Sequence, residues 1–172
     1  IEADDKAYLS LHKLKSHIHL ALNYSEGIWG NDREAQIPAM LEMLKIPYTG
    51  SSPLTQAIGL NKAKTKEILI ANGIPTAEFQ VFYSSDESLK KNLSLPLIVK
   101  PIAEGSSAGI TNDSVVDSEK KLKEKVNFVI ENFNKPALVE RYLAGREFSV
   151  ALLGNPPDVL PIIEADYRLL PK

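Results

Sequence analysis

Lys100 closes an apolar run, Leu97-Ile98-Val99, and is followed by Pro101 and a loop containing Glu104, Gly105, Ser106, Ser107 and Gly109. A strand that delivers one lysine to the edge of a small-residue loop can hold a phosphate chain. Glycines let the backbone approach closely, free N–H groups and hydroxyls donate to phosphate oxygens, and the ammonium supplies charge. The plain alternative is a β-turn with Lys100 as a surface charge. The stretch is not a Walker loop, because no Gly-Lys-Ser/Thr closes it, and no GxGxxG occurs in the chain. Taken by itself it leaves both readings open.

Other residues bear on that choice. Lys62 sits at the start of a predicted helix, where the dipole favours a phosphate. Lys66 lies four residues on and Lys64 between them, and both are expected on a solvated helix face. Glu140 ends a second apolar run, Ala137-Leu138-Val139, much as Lys100 ends the first, with a solvent-facing strand end as its alternative. Glu147 follows the turn at Gly145, and could be an ordinary surface strand residue. His12, His17 and His19 cluster near the N-terminus, but no carboxylate spacing accompanies them and a metal site is not expected there.

The elements that must position these residues follow from periodicity. Ala7, Leu11 and Leu14 mark a helix over residues 4–16. Ile18–Leu22 reads as a strand buried on both faces of a parallel sheet. A polar loop follows, Asn23-Tyr24-Ser25-Glu26-Gly27 and then Trp29-Gly30-Asn31-Asp32, at the strand end where open α/β sheets place ligands. Asn31 or Asp32 is expected to cap a helix beginning near Ala35, with Ile37, Met40, Leu41 and Leu44 as its core face and Pro38 in its first turn. Ser52 caps a helix from Pro53 to about Gly59, and Asn61 one from Lys62 to Ala71, ended by Gly73. Strands are expected at Phe79–Tyr83, Leu97–Val99, Ala137–Glu140 and Phe148–Leu152, and an antiparallel return at Val159–Ala165. Asp86–Lys91 reads as a short helix. A stripe of Leu122, Val126, Val129, Ile130 and Phe133 marks a long one over about 118–132.

The 172 residues carry 44% hydrophobic and 24% charged side chains, a globular composition, with net charge −2 and no cysteine. Nothing basic enough for nucleic acid is present, so phosphate binding would need local charge. The lack of cysteine fits a reducing, cytoplasmic compartment. No membrane-length apolar run or signal-peptide pattern occurs. Because the chain opens on Ile1 and stops at Lys172 after a strand-like segment, it is expected to be part of a longer protein.

The motifs NYSEG, REAQIPAMLEMLKIPYTGS, NKAKTK, GIPT, LIVKP with EGSSAGI, and ALVERYLAGREFSVALLGN occur in that order between about His17 and Asn155. Together they resemble the D-alanine–D-alanine ligases of the ATP-grasp superfamily. The resemblance implies an α/β and α+β architecture. Residues 1–52 would be the latter part of a doubly wound N-terminal α/β domain, and 53–172 part of an ATP-grasp fold. It implies an ATP-dependent carboxylate–amine ligase acting through an acyl phosphate in peptidoglycan precursor synthesis, with ATP and a small amino acid as partners and a homodimer as assembly. An ATP-binding module with another amino acid or hydroxy acid substrate, or without ligase activity, is the alternative.

Position by position, Lys62 and Lys100 correspond to the lysines on the α- and β-phosphates. Glu104, Gly105, Ser106, Ser107 and Gly109 correspond to a loop that folds over the triphosphate, mobile without nucleotide. Ser106 takes the place of a serine that also touches the substrate network. Glu140, Arg141 and Leu143 match the adenine hinge, and Glu147 the carboxylate on ribose. The family's magnesium ligands have no counterpart in this chain, so turnover by these 172 residues alone is not expected. Where many family members carry a histidine near the first substrate, this chain reads Asn23 to Gly27, which puts D-alanine specificity in doubt.

Overall fold

The alternation around Lys100 forms a five-residue strand, β2 (Leu97–Pro101), in the computed structural model, which describes residues 1–166. The last six positions of the expected 53–172 region lie outside the described residues. β2 belongs to a four-stranded antiparallel sheet with β1 (Phe79–Phe82), β3 (Val115–Val116) and β4 (Ala137–Arg141), in the order β1-β4-β2-β3. Strand period two divides the side chains between two faces. Leu97, Val99, Ala137, Val139 and Phe82 fall on one face and pack against Leu122, Val126 and Val129 of helix α5 (Glu119–Phe133). Burying each of these helix side chains contributes roughly 1.5–3 kcal/mol. Ile98, Lys100, Leu138 and Glu140 must then occupy the opposite face.

Two of the observed caps are ones the sequence reading names, and Ser118 is a third. Ser52 accepts from the Thr55 N–H at the start of α3 (Pro53–Leu60), Asn61 from Lys64 at the start of α4 (Lys62–Ala71), and Ser118 from Lys121 at the start of α5. Helices α1 (Ala7–Leu14) and α2 (Gln36–Leu44) form a separate cluster from Ala7, Leu11, Ile37, Leu41, Leu44 and Ile46. All of these elements lie in one unit, Ile1–Tyr142; Leu143–Lys172 form a second. In the second, two short antiparallel pairs occur: β5 (Glu147–Ser149) with β8 (Ile163–Ala165), and β6 (Leu152–Leu153) with β7 (Asp158–Val159). A bidentate Arg146–Glu164 pair braces the first of these.

Several expectations need correction. Ile18–Leu22 is not a strand buried on both faces. It makes a single parallel bridge, Ala21 to Tyr48; Ile18 and Ala21 pack on the cluster of α1 and α2, while Leu20 and Leu22 are exposed. Residues 86–91 form turns, not a helix. The Gln80 amide donates to the Ser88 carbonyl and accepts from the Lys90 N–H, taking backbone groups that a helix would need. Neither Asn31 nor Asp32 caps α2, which is entered through a 3₁₀ turn at Arg33–Ala35 with no side-chain cap bond. The expected strand Phe148–Leu152 is broken after Ser149, and its return is two short strands, not one.

Candidate functional site

On the sheet face opposite α5, Glu140 is 8% exposed and sits between two ammonium groups. Its Oε1 accepts from Lys100 Nζ at 2.5 Å and its Oε2 from Lys66 Nζ at 2.7 Å. Lys100 reaches it because the β2–β4 register sets Lys100 against Leu138 and Ile98 against Glu140, leaving the lysine diagonal to the carboxylate on the same face. Burial alone would raise the Glu140 carboxyl, but the hydrogen bonds and charges of Lys100 and Lys66 hold it below its ordinary value. Lys66 also donates to Thr76 Oγ1 and the Ala77 carbonyl, and its ammonium lies 5.4 Å from the Phe79 ring centre.

Lys66 is therefore not the solvated residue the sequence suggested. The spacing of Lys62 and Lys66 put them on one face correctly, yet that face is turned toward the sheet, with Ala63 buried between them. Lys64 is the exposed one, paired with Glu67 on the surface. For Glu140 likewise, the solvent-facing alternative fails.

Lys62 stands at the first position of α4, and its N–H donates to the Ile102 carbonyl at 2.9 Å. Its Nζ donates to the carbonyls of Pro101 and Glu104. Burial pushes this ammonium below its ordinary value and the nearby Lys100 charge adds to the shift, outweighing the pull of Glu104 and Glu140. A cavity of about 250 Å³ opens here, lined by Lys62, Lys66, Lys100, Glu140, Thr65 and Thr76 among others. A larger cavity, about 530 Å³, lies against Ala7, Leu11, Ala21, Leu22 and the 23–26 loop. No lysine or arginine lines that one, so size does not locate the phosphate chemistry; charge does.

The serine loop leaves β2 through a well-held base. The Glu104 carboxylate pairs with Arg33 Nη2 at 3.1 Å and with Lys135 Nζ at 2.5 Å, and both cations also donate to the Ala103 carbonyl. Burial would raise Glu104, but the Lys135 hydrogen bond and the Arg33 charge hold it below its ordinary value. Gly105 lies against Glu34, whose Oε1 would be 3.2 Å from an added Cβ. Ser106 and Ser107 both take left-handed backbone, φ 51° and 59°, which costs a non-glycine residue roughly 1–2 kcal/mol each. Ser106 Oγ donates to Glu26 Oε1 at 2.6 Å, tying the loop to the polar 23–27 segment. Gly109 has φ 77°, and a Cβ there would meet Phe133 and Pro101 at 2.6 and 2.7 Å. Within residues 104–110 only Ser106, Ser107 and Ala108 are exposed.

The structure thus brings together Lys62, Lys100, Glu104 and Glu140, and adds Lys66, Arg33, Lys135 and Glu26, which sequence reasoning did not assign. The offset of Lys66 from Lys62 was a usable signal. Arg33 and Lys135 gave none, because nothing local ties either to Glu104. Arg141 ends β4, exposed, opposite Leu97. Leu143 and Glu147 belong to the second unit, where both are exposed and Glu147 pairs with Ala165. Among the described residues no three His, Cys, Asp or Glu side chains gather where a metal ion could be held.

A small antiparallel sheet carries a helix on one face and convergent lysines on the other, an α+β arrangement, and comparison with known proteins places it. The family described as D-ala D-ala ligase C-terminus matches residues 54–168. An uncharacterized protein, y4sG, of Sinorhizobium fredii is 39% identical over 84% of this chain and 42% of its own length. A D-alanine–D-alanine ligase of Desulforamulus reducens is 36% identical over 93% of this chain and 53% of its own. The D-alanine–D-alanine ligase of Bacillus anthracis, solved in complex with ATP, superposes with a TM-score of 0.73 at 27% identity, covering 94% of this chain and 53% of that one. The chain belongs to the D-alanine–D-alanine ligase family, and its mixed α/β fold is part of the ATP-grasp architecture. It spans about half the length of these relatives.

Proposed function

We propose that this chain supplies one wall of the nucleotide cleft of an ATP-dependent carboxylate–amine ligase that resembles D-alanine–D-alanine ligase. The observation that carries the proposal is local charge. Arg33, Lys62, Lys66, Lys100 and Lys135 share one connected network with only two carboxylates, Glu104 and Glu140. Three positive charges are left over within that network, the next carboxylates being Glu34 beside Gly105 and Glu26 on Ser106, in a chain whose net charge is −2. A polyphosphate is the ligand that such an excess attracts. In the proposed reaction a substrate carboxylate oxygen attacks the γ-phosphorus of ATP and ADP leaves. The amine of a second amino acid then attacks the acyl carbon, loses a proton, and expels phosphate. Lys62 and Lys100 would neutralise phosphate charge, Lys100 exchanging Glu140 for a phosphate oxygen while Lys66 keeps Glu140 ionised.

The further assignments belong to the same proposal and rest on family membership. They are Glu140, Arg141 and Leu143 toward adenine, Glu147 toward ribose, Ser106 toward the substrate, a division near residue 52 between two domains, a homodimer, and a role in cytoplasmic cell-wall precursor synthesis. Phosphate release from ATP by the full-length protein tests the activity, with D-alanine, other small amino acids and hydroxy acids offered in turn. Release that depends on one of these is expected. Bound nucleotide with no substrate-dependent release would overturn the ligase reading in favour of a binding module.

A further inference from the structure

We infer that Arg33 and Lys135 are positioning residues for the nucleotide, acting through Glu104; this rests on the phosphate-binding role proposed above. Neither side chain enters the cavity between Lys62 and Lys100. Each grips the same two residues at the base of the serine loop, donating to the Ala103 carbonyl and to one oxygen of the Glu104 carboxylate. Both cations and the carboxylate are largely buried, with side-chain exposures of 12%, 12% and 18%. Surface pairs of that kind do little, but groups removed from water to this degree fix geometry.

What they fix is the backbone at Glu104. The carbonyl of that residue is an acceptor for Lys62 Nζ, together with the carbonyl of Pro101. Two carbonyl partners aim the Lys62 ammonium, and the Arg33–Glu104–Lys135 clamp prevents one of those partners from turning away. The same clamp sets the exit direction of the loop toward Ser106, whose hydroxyl reaches Glu26. Arg33 comes from the turn before α2 and Lys135 from the turn after α5, so three separate segments meet at one carboxylate. With the clamp removed, Lys62 and the serine loop lose their orientation, although every side chain proposed to meet phosphate is still present.

The test is a double-mutant cycle in ATP affinity, measured by titration of the full-length protein, using Arg33→Ala, Glu104→Gln and the pair, with Lys135→Ala alongside. Each single change is expected to weaken ATP binding on the order of tenfold, the worth of one charge-assisted hydrogen bond. On the Glu104→Gln background, Arg33→Ala should add less than about twofold, because the carboxylate through which it acts is already neutral. Arg33→Lys should recover part of the loss. If Arg33→Ala does not fold, as thermal unfolding will show, the cycle is run with Arg33→Lys, which must itself be silent on the Glu104→Gln background. Additive effects, or single variants that bind ATP like the parent, overturn the inference. A parent protein that binds no ATP strikes the phosphate-binding reading itself and removes the inference with it.

Discussion

Glu140 collects two lysines from different elements, Lys66 from α4 and Lys100 from β2. The three side chains are worth most as a set, since removing the carboxylate leaves two largely buried cations facing each other. Glu140→Gln is expected to lower stability at neutral pH by roughly 3 kcal/mol, the low end for breaking a buried pair, because Lys100 keeps partial contact with water. The pH dependence carries a sign. The folded protein holds the Glu140 carboxyl below its ordinary value. Its contribution is therefore complete above the ordinary glutamate range and is lost as pH falls through the depressed folded value. Urea unfolding of parent and Glu140→Gln across acid pH should converge below that range; curves that stay parallel would mean the pair does not contribute as described. The lysine that fills this role was misplaced in sequence because helical spacing gives a shared face but not which way it turns.

At the scale of elements, the serine loop depends on how β2 ends and on what α5 brings to it. Gly109 occupies a left-handed position wedged between Phe133 of α5 and Pro101 of β2. Gly109→Ala should cost roughly 1–3 kcal/mol from backbone strain, and more from the overlap with the ring. Gly59 provides the contrast, because it lies inside α3 with no atom within 4 Å of an added Cβ. Gly59→Ala should stabilise by roughly 0.5–1 kcal/mol. Chemical denaturation of both variants checks the pair, and equal shifts would contradict the loop geometry. Caps made α3 and α4 legible in advance, since Ser52 and Asn61 act within their own turns, and apolar patterns did the same for α5 and the strands through Lys100 and Glu140. Residues 86–91 were not legible, because the Gln80 side chain, from a neighbouring strand, takes the backbone groups there.

For the molecule as a whole, the motif order identified the family, while the pairing of charges within the first unit came only from the fold. Arg33, Glu104 and Lys135 are distant in sequence, and no local pattern distinguishes a buried ion pair from a solvated one. Ile18–Leu22 failed for a related reason: burial of a strand depends on what lies beside it. Here the 47–49 segment is the described backbone that pairs with it while the α1–α2 cluster takes Ile18 and Ala21, leaving Leu20 and Leu22 exposed. Lys100, which lines the cavity, is proposed to meet the nucleotide, whereas the exposed Lys64 is not. Titrating ATP into the full-length protein and its Lys100→Ala and Lys64→Ala variants tests this most directly. Lys100→Ala should weaken binding at least about tenfold, and Lys64→Ala, which removes an exposed pair with Glu67, should leave it unchanged. Equal effects of the two substitutions would contradict the account.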